Sequence, residues 1–326
     1  MTSSISFPGL FKTVFEIDPV ATPDWFPLEI RWYGIAILIG MLGAFFYASY
    51  RAKQSGISFD DMLDYVIFTI PSGIIGARLY YVLFNLSDYT SFYEIIAIWN
   101  GGLAIYGGII GGLIAIILVS KVKKIHLPTM LDCAAPGVMI GQICGRWGNF
   151  FNAEAYGILE KISFPFIGDI STPTFAENFP LRMVISNSRV GEIAVHPTFL
   201  YESAWNLLGF ILINIYFKKK KFDGEIVLMY VSWYGIGRFF IEGLRGDSLM
   251  LGTFRVSQVL ALVCFIAGVI AIIAGRKNAL KKSLALDGYI SQFSVPDEPA
   301  IRTEIPEKNN TTTLSEGEQN YGNDSG

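Results

Sequence analysis

Seven stretches of mainly hydrophobic residues recur along the chain, and each approaches the ~20 residues that an α-helix needs to cross a bilayer. Two of the clearest are "WYGIAILIGMLGAFFYASY" and "VSQVLALVCFIAGVIAIIAG". The pattern predicts an all-α membrane protein with about seven transmembrane helices. A further segment, "FYEIIAIWN", is too short to cross and is expected to lie along the interface. The predicted spans are residues 29–50, 63–85, 103–120, 130–150, 197–217, 225–243 and 254–275.

Lysine and arginine are distributed unevenly among the segments between these spans. The segments after the odd-numbered spans are basic, whereas the segment after the second span has no lysine or arginine. Because cytoplasmic segments are enriched in these residues, we expect an amino terminus outside, a carboxyl terminus inside and a small extracytoplasmic segment at 152–196. The basic residues are Arg51, Lys53, Lys121, Lys123, Lys124, Lys218, Lys219, Lys220, Lys221, Arg276, Lys277, Lys281 and Lys282.

Composition agrees with a membrane location. Hydrophobic residues make up 52% of the 326 residues and charged residues 16%, against roughly 25% charged residues in soluble proteins. The three cysteines lie in apolar segments without a Cys-x-x-Cys pair, which argues against a disulfide framework. Residues 1–282 are expected to form the membrane domain. Residues 283–326 are rich in Ser, Thr, Asn, Gly and Glu, and this composition predicts a disordered cytoplasmic tail.

Nearly all ionisable residues within the predicted spans fall on the extracytoplasmic side. The stretch "GRWGNFFNAEAYG" (145–157) ends the fourth span, and Tyr234, Arg238, Glu242 and Arg245 share one helix face of the sixth. An arginine at the bilayer centre costs about 2.5–3.5 kcal/mol on insertion scales, so these residues need partners or a purpose. The other polar residues at this depth are Arg31, Tyr33, Arg78, Arg146, Asn149, Asn152, Glu154, His196, Tyr201 and Glu202.

Two interpretations of these arginines are open. In the first, Arg–Glu pairs join helices, and arginines extend their charged ends to the interface. In the second, they bind a ligand, because guanidinium groups match phosphate oxygens in a bidentate fork. Pairing alone needs neither an excess of arginine over carboxylate nor clustering at one depth. The group as a whole therefore favours a site for an anionic lipid, open to the outer leaflet.

The glycine-rich stretch "GGLAIYGGIIGG" has no Gly-Lys-Ser/Thr ending, which argues against a nucleotide-binding loop. Its pairs Gly107/Gly111 and Gly108/Gly112 have the small-xxx-small spacing that lets helices approach closely. Tyr106 is expected near the outer end of the third span, within reach of the same cavity as the arginines.

The stretch "GRWGNFFNAEAYG" resembles the signature of the prolipoprotein diacylglyceryl transferase family. The stretches "RWYGIAILIG", "GARLYYVLFN", "WNGGLAIYGGIIGG", "HPTFLYES" and "YGIGRFFIEGLRGD" resemble the family in order and spacing, over nearly all of residues 25–275. The resemblance implies a multi-pass enzyme of the bacterial cytoplasmic membrane with an extracytoplasmic active site. Its implied reaction is the first step of lipoprotein maturation. A diacylglyceryl group passes from phosphatidylglycerol to the lipobox cysteine of a prolipoprotein signal peptide, and glycerol phosphate is released.

The resemblance also assigns roles, and it implies no cofactor, metal or nucleic acid. Arg146 and Arg238 match essential arginines of the family. We expect them to bind the lipid phosphate and to stabilise the charge of the departing glycerol phosphate. Glu242 is expected to orient Arg238. The other residues expected to bind substrate or to take part in catalysis are Asn149, Glu154, Tyr33, Tyr234, Gly157, Arg78, His196, Glu202 and Arg245.

One position departs from the pattern of some family members. Tyr106 stands where they carry a histidine that has been proposed as the general base. Free tyrosine has a pKa near ~10, which makes it a poor base at neutral pH. Glu154, Glu202 or the leaving phosphate could accept the thiol proton instead, and the sequence leaves the choice open.

An alternative function is a transporter or channel for an anionic solute, which intramembrane arginines would also serve. A permeation path needs polar groups at both depths, whereas the inner halves of the first, third, fifth and seventh spans are nearly bare of charge. A retinal-type receptor is disfavoured because residues 254–275 contain no lysine.

Overall fold

The protein is mostly helical, as the hydrophobic pattern predicts. The computed structural model describes residues 2–159, 161–164, 168–171, 179–188, 190–246, 250–251 and 254–293. A helix coincides with most of each predicted span, and a short helix lies between the second and third. The helices are α1 (Trp32–Gln54), α2 (Phe59–Phe84), α3 (Phe92–Ile96), α4 (Ile105–Lys123), α5 (Leu127–Phe151), α6 (Thr198–Tyr216), α7 (Glu225–Leu244) and α8 (Val256–Phe293).

Among the described residues, four helices are long and apolar enough to cross a membrane: α1, α2, α4 and α8 as far as Ala285. Helices α5, α6 and α7 are 25, 19 and 20 residues long, but polar side chains lower their hydropathy. A crossing by these three helices therefore stays a prediction. The predicted tail begins inside α8, which continues to Phe293, and residues 294–326 lie outside the described residues.

The prediction of an all-α protein is wrong in one respect, because the segments before α1, between α5 and α6 and between α7 and α8 contain strands. In β1, Ile5 and Phe7 are buried while the intervening residue is not, the period of two of a half-buried strand. Strands this short give a weak signal beside long helices. They are β1 (Ser3–Phe7), β2 (Phe11–Ile17), β3 (Gly157–Ile158), β4 (Lys161–Phe164), β5 (Gly168–Ser171), β6 (Met183–Asn187), β7 (Gly191–His196), β8 (Met250–Leu251) and β9 (Phe254–Arg255).

Five strands form an antiparallel sheet in the order β2–β1–β6–β7–β3. The other strands form two hairpins, β4 with β5 and β8 with β9. In the sheet, Ile5 pairs with Ile185, so the amino-terminal residues join the segment between α5 and α6. Both side chains are fully buried in a core that includes Phe199 of α6. The sheet therefore lies at the end of the helices where α5 finishes and α6 begins.

Helices α2 and α4 pack with their backbones in contact. A methyl group at Gly107 would overlap the carbonyl oxygen of Gly76, and one at Gly111 would overlap the carbonyl oxygen of Ser72. This confirms close approach for the pair Gly107/Gly111. At Gly108, by contrast, an added methyl group would lie 3.5 Å from the nearest atom, which is an ordinary contact.

Two buried carboxylates lie at the opposite ends of α5 and α7 from the sheet. Asp132 accepts from Lys220 Nζ at 2.9 Å, and Glu225 accepts from Arg276 Nε at 2.6 Å. Both carboxylates are fully buried. Ionisable residues within the predicted spans are therefore not confined to one side, contrary to the sequence-based expectation. Asp132 lies near the start of α5 and Glu225 begins α7, and each takes its basic partner from another part of the chain.

We expect Gly111→Ala to lower the stability of the protein, whereas Gly108→Ala should leave it nearly unchanged. The added methyl group of Gly111→Ala would meet the α2 backbone, and overpacking of this kind typically costs about 1–3 kcal/mol. Thermal unfolding of both purified variants in detergent measures the difference. Equal melting temperatures for the two variants would contradict the packing described here.

Candidate active site

Four charged side chains at the sheet end of the helices form one network of ion pairs, which we call the arginine–glutamate cluster. Its members are Arg146 of α5, Glu202 of α6, and Arg238 and Glu242 of α7. Glu202 bridges the two arginines, with Oε2 at 2.6 Å from Arg146 Nη2 and Oε1 at 2.8 Å from Arg238 Nη1. Arg238 Nη2 also contacts Glu242 Oε2, as an ion pair rather than an aligned hydrogen bond. Three helices thus meet through one carboxylate.

The cluster is buried and formally neutral. Glu202 is 3% exposed and Glu242 is 2% exposed, while the Arg146 and Arg238 side chains are 22% and 15% exposed. Two guanidinium groups balance two carboxylates, which offsets the cost of removing four charges from water. The arginines are also more exposed than the carboxylates, so the positive groups are the ones that an incoming ligand would meet.

A pair of tryptophans holds α6 and α7 in the register that forms the cluster. The indoles of Trp205 and Trp233 stack at 4.2 Å, and each Nε1 donates to the other residue's carbonyl oxygen at 2.9 Å. The contact requires Gly209 and Gly237, because a methyl group at either would overlap the facing indole. The two helices run antiparallel, so this reciprocal contact fixes Arg238 opposite Glu202.

The stretch 145–157 leaves α5 through a tight polar turn. Arg146 Nη1 contacts Asn149 Oδ1 at 3.5 Å, and Asn149 Nδ2 donates to Glu154 Oε1 at 3.1 Å. Ala153 and Ala155, on either side of Glu154, have φ values of 48° and 57°. Such conformations are unfavourable for residues other than glycine and persist only where their surroundings enforce them. Strain on both sides of one carboxylate marks Glu154 as a positioned group.

Glu154 lines a cavity of about 420 Å³ between this turn and the sheet. Its Oε1 accepts the amides of Asn149 and Asn152, at 3.1 and 3.3 Å. Oε2 makes no hydrogen bond with any residue that the structure describes. Other residues that line the cavity are Asn152, Tyr156, Ile158, Asn187 and Gly246. The lining of the cavity thus combines apolar surface with a few polar side chains. The contacts of Asn149 link Glu154 to the arginine–glutamate cluster.

Gly157 joins the sheet to the end of α7. It pairs with His196 in the sheet and forms a β-bridge with Arg245. An added Cβ would lie 2.9 Å from His196 Cβ and 3.0 Å from the Leu244 carbonyl oxygen. His196 is 3% exposed, and its Nδ1 lies 3.1 Å from the Tyr201 hydroxyl. Gly157 and His196 are thus packed against each other in the sheet, and their predicted roles in substrate binding stay predictions.

Arg78 has a different environment from the cluster arginines. It is 7% exposed and donates to five backbone carbonyl oxygens, those of Glu94, Ile95, Ala97, Gly101 and Gly102. These carbonyls belong to the segment that contains α3. The described contacts of Arg78 therefore hold this segment against α2, and its predicted role in substrate binding stays a prediction.

The predicted tyrosines are dispersed. The Tyr33 ring covers Gly148 of α5, where an added Cβ would lie 2.6 Å from the ring. Tyr234 lines a small space beside Glu202 and Arg238. Tyr106 has a ring contact with Tyr80, with centroids 6.4 Å apart, and no contact among the described residues links it to the cluster.

The sequence analysis did not identify three features of the site: Asn206, the tryptophan pair and Arg255. Asn206, one turn after Glu202, is 1% exposed beside the cluster. The tryptophan pair could have been found from the sequence, because a glycine follows each tryptophan four residues later. Arg255 donates to the Glu242 carbonyl oxygen at 2.9 Å and so caps the end of α7, a role without a local sequence signal. Among the described residues, no group of three His, Cys, Asp or Glu side chains could hold a metal ion.

Comparisons with known proteins find similar sequences. The family model described as "Prolipoprotein diacylglyceryl transferase" matches residues 19–274. A Streptococcus agalactiae protein is 45% identical over 257 residues, which cover 77% of this chain and 94% of the relative. An Enterococcus faecalis protein is 44% identical over 257 residues, with 78% and 89% covered. A Streptococcus pyogenes protein is 44% identical over 267 residues, with 80% and 96% covered. All three are named phosphatidylglycerol–prolipoprotein diacylglyceryl transferase.

We expect acid to destabilise the protein through His196. Burial lowers the pKa of His196 from 6.5 to about 4, so below pH 6.5 the unfolded chain binds a proton that the folded chain does not. The free energy of unfolding should therefore fall by up to about 1.4 kcal/mol per pH unit between pH 6.5 and about 4. Unfolding in detergent at several pH values measures this free energy. It should depend less steeply on pH in His196→Gln than in the wild-type protein. His126→Gln, which removes an exposed histidine, should keep the wild-type slope; equal slopes for all three proteins would contradict this assignment.

Proposed function

The chain belongs to the prolipoprotein diacylglyceryl transferase family, and we propose that it transfers the diacylglyceryl group of phosphatidylglycerol to the lipobox cysteine of a prolipoprotein. The cysteine thiol loses its proton, and the sulfur attacks the glycerol carbon that carries the phosphate. A carbon–sulfur bond forms as the carbon–oxygen bond breaks, and the electron pair leaves with glycerol phosphate. This reaction would be the first step of lipoprotein maturation. Family membership favours it over the alternative of an anion transporter.

The observation that carries the proposal is the pair of guanidinium groups held on one buried carboxylate. Arg146 and Arg238 come from different helices, and Glu202 fixes both. Guanidinium groups match phosphate oxygens geometrically and keep their charge. We assign them to the phosphate of phosphatidylglycerol, where they would stabilise the charge that grows on the leaving group. Glu242 holds Arg238 from its other side.

Glu154 is our candidate for the base that accepts the thiol proton. Both carboxylate oxygens of Glu202 are engaged by arginines. Glu154 instead uses one oxygen for two amides, and it lines the cavity of about 420 Å³. The acceptor cysteine would enter from this cavity. The leaving phosphate is the remaining candidate from the sequence, whereas Tyr106, a poor base, has its described ring contact with Tyr80.

We also propose that all seven long helices cross the bacterial cytoplasmic membrane, with the cluster toward the extracytoplasmic side. Several observations support this topology. The sheet joins the amino-terminal strands to the segment between α5 and α6, so these segments share one side. The cluster lies at that same end, and the lysine-rich segment 218–221 lies at the other. The positive-inside rule places the lysine-rich end in the cytoplasm. Phosphatidylglycerol and the signal peptide would then reach the cluster from the membrane.

Mass spectrometry of a lipobox peptide, incubated with the purified protein and phosphatidylglycerol, tests the function directly. We expect a gain of one diacylglyceryl unit on the cysteine.

Arg146→Lys should lower the rate by roughly 100-fold, because a point charge cannot reproduce the bidentate fork. Arg51→Lys is the matched control: Arg51 donates to Asn214 at the far end of α6 and should be dispensable for transfer. Near-normal transfer by Arg146→Lys would refute the assigned role.

Glu154→Gln tests the base. We expect its kcat to fall by about 100-fold or more at pH 7, because glutamine cannot accept the thiol proton. The loss should shrink as the pH approaches about 8.5, where a free cysteine thiol ionises without help. Glu192→Gln, at an exposed position on β7, serves as the control. The measurement is the pH profile of kcat, and an unchanged profile for Glu154→Gln would exclude Glu154 as the base.

A further inference from the structure

Two glycines three residues apart on α5 have opposite surroundings. A Cβ added at Gly148 would lie 2.6 Å from the Tyr33 ring, so packing against α1 requires glycine there. A Cβ added at Gly145 would meet no atom of the described residues within 4 Å, apart from its adjoining residues. Glycine inside a helix is about 0.5–1 kcal/mol less favourable than alanine. Packing among the residues that the structure describes therefore does not account for glycine at position 145.

The face of α5 that carries Gly145 opens progressively toward the sheet. Ala134 packs against the core that joins the ends of α1, α2, α4 and α5 away from the sheet. Val138, one turn further along α5, is exposed, and Gly145, two turns beyond Val138, faces open space. These residues are separated by four and seven positions, so they share one face of the helix.

The face of α1 that packs against the same core shows the same change. Phe45 belongs to the core, and its ring centroid lies 5.5 Å from that of Phe59 of α2. Nearer the sheet, Met41 and Leu38 are exposed, and a Cβ at Gly34 would meet no described atom within 4 Å. The pair α1–α5 and the pair α2–α4 thus pack together at one end and diverge toward the other. Between them lies a cleft with apolar walls.

The cleft reaches the arginine–glutamate cluster at its open end. Gly145 directly precedes Arg146, and Asn149, on the same face as Gly145, contacts Arg146. Along the helix axis, Asn149 lies roughly 6 Å from Gly145 toward the sheet, and Val138 lies roughly 10 Å away in the opposite direction. A polar side chain, an uncovered backbone and an apolar wall therefore follow one another along α5.

We propose that the glycerol backbone of phosphatidylglycerol lies against Gly145, with its acyl chains in the cleft between the two helix pairs. The inference rests on the proposed function, which places the lipid phosphate at Arg146 and Arg238. In a glycerophospholipid the glycerol follows the phosphate and the acyl chains follow the glycerol, which is the order of surfaces along α5. Without a side chain at position 145, the carbon that reacts can approach the helix backbone beside Arg146. The acceptor peptide would come from the Glu154 cavity, on the sheet side of Asn149.

A side chain at position 145 should obstruct the lipid without disturbing the fold. Gly145→Ala should melt at the wild-type temperature or above it, because alanine is favoured over glycine in a helix. Its methyl group should raise the KM for phosphatidylglycerol by roughly tenfold, the effect of one methylene in a close-fitting apolar site. Gly145→Val should raise this KM further. The KM for the lipobox peptide should stay unchanged in both variants.

The experiment measures transfer in mixed micelles, with the phosphatidylglycerol and the lipobox peptide varied separately, and the thermal unfolding of each variant. Gly108→Ala is the matched control, because its methyl group makes only ordinary contacts, on the face of α4 toward α2. It should keep the wild-type KM for both substrates. Gly148→Ala should instead lower the melting temperature, because its methyl group would meet the Tyr33 ring.

The possible outcomes separate this inference from the proposed function. No transfer from phosphatidylglycerol by the wild-type protein would refute the function itself. Wild-type transfer together with a normal KM for the lipid in Gly145→Ala and Gly145→Val would refute only the lipid position. A raised KM for the peptide alone would assign the space to the peptide and overturn the inference. A lower melting temperature of Gly145→Ala would also overturn it, because that result is expected of a packed position.

Discussion

The Glu202 carboxylate is the group on which the arrangement of α5, α6 and α7 depends. It is almost completely buried, and each of its oxygens contacts the guanidinium group of an arginine from a different helix. Without it, the guanidinium groups of Arg146 and Arg238 would face one another as like charges in a poorly hydrated place. Removing one member of a buried ion network is strongly destabilising because it leaves an uncompensated charge. The three helices must therefore converge at this point.

The surrounding structure meets this requirement by close backbone packing. Gly209 and Gly237 let the two indoles stack and hydrogen-bond reciprocally, which sets the register of α6 against α7. Gly148 lets Tyr33 of α1 lie against the last turns of α5. The strained turn around Glu154 then carries the chain from α5 into the sheet. Small residues thus determine where charged residues meet.

Sequence alone predicted the helices well and the contacts among polar residues only in part. Hydrophobic runs of membrane length located every long helix, because a long apolar run is a strong local signal. The arginines gave no comparable signal of their surroundings. Arg78 and Arg146 have the same side chain, yet Arg78 is surrounded by backbone carbonyls of a distant segment and Arg146 by Glu202. The sheet and the buried carboxylates of Asp132 and Glu225 were missed for the same reason, since each depends on partners far away in sequence.

A neutral cluster has a consequence for the reaction that we propose. The phosphodiester of phosphatidylglycerol carries one negative charge, and the departing glycerol phosphate gains a second as the carbon–oxygen bond breaks. Carboxylates beside the arginines weaken the attraction for the substrate, and they also hold the guanidinium groups rigidly in place. Fixed positive groups interact more strongly with the charge that develops in the transition state than with the charge already present. Pairing each arginine with a glutamate would therefore reduce ground-state binding while it keeps the donors in position for the leaving group.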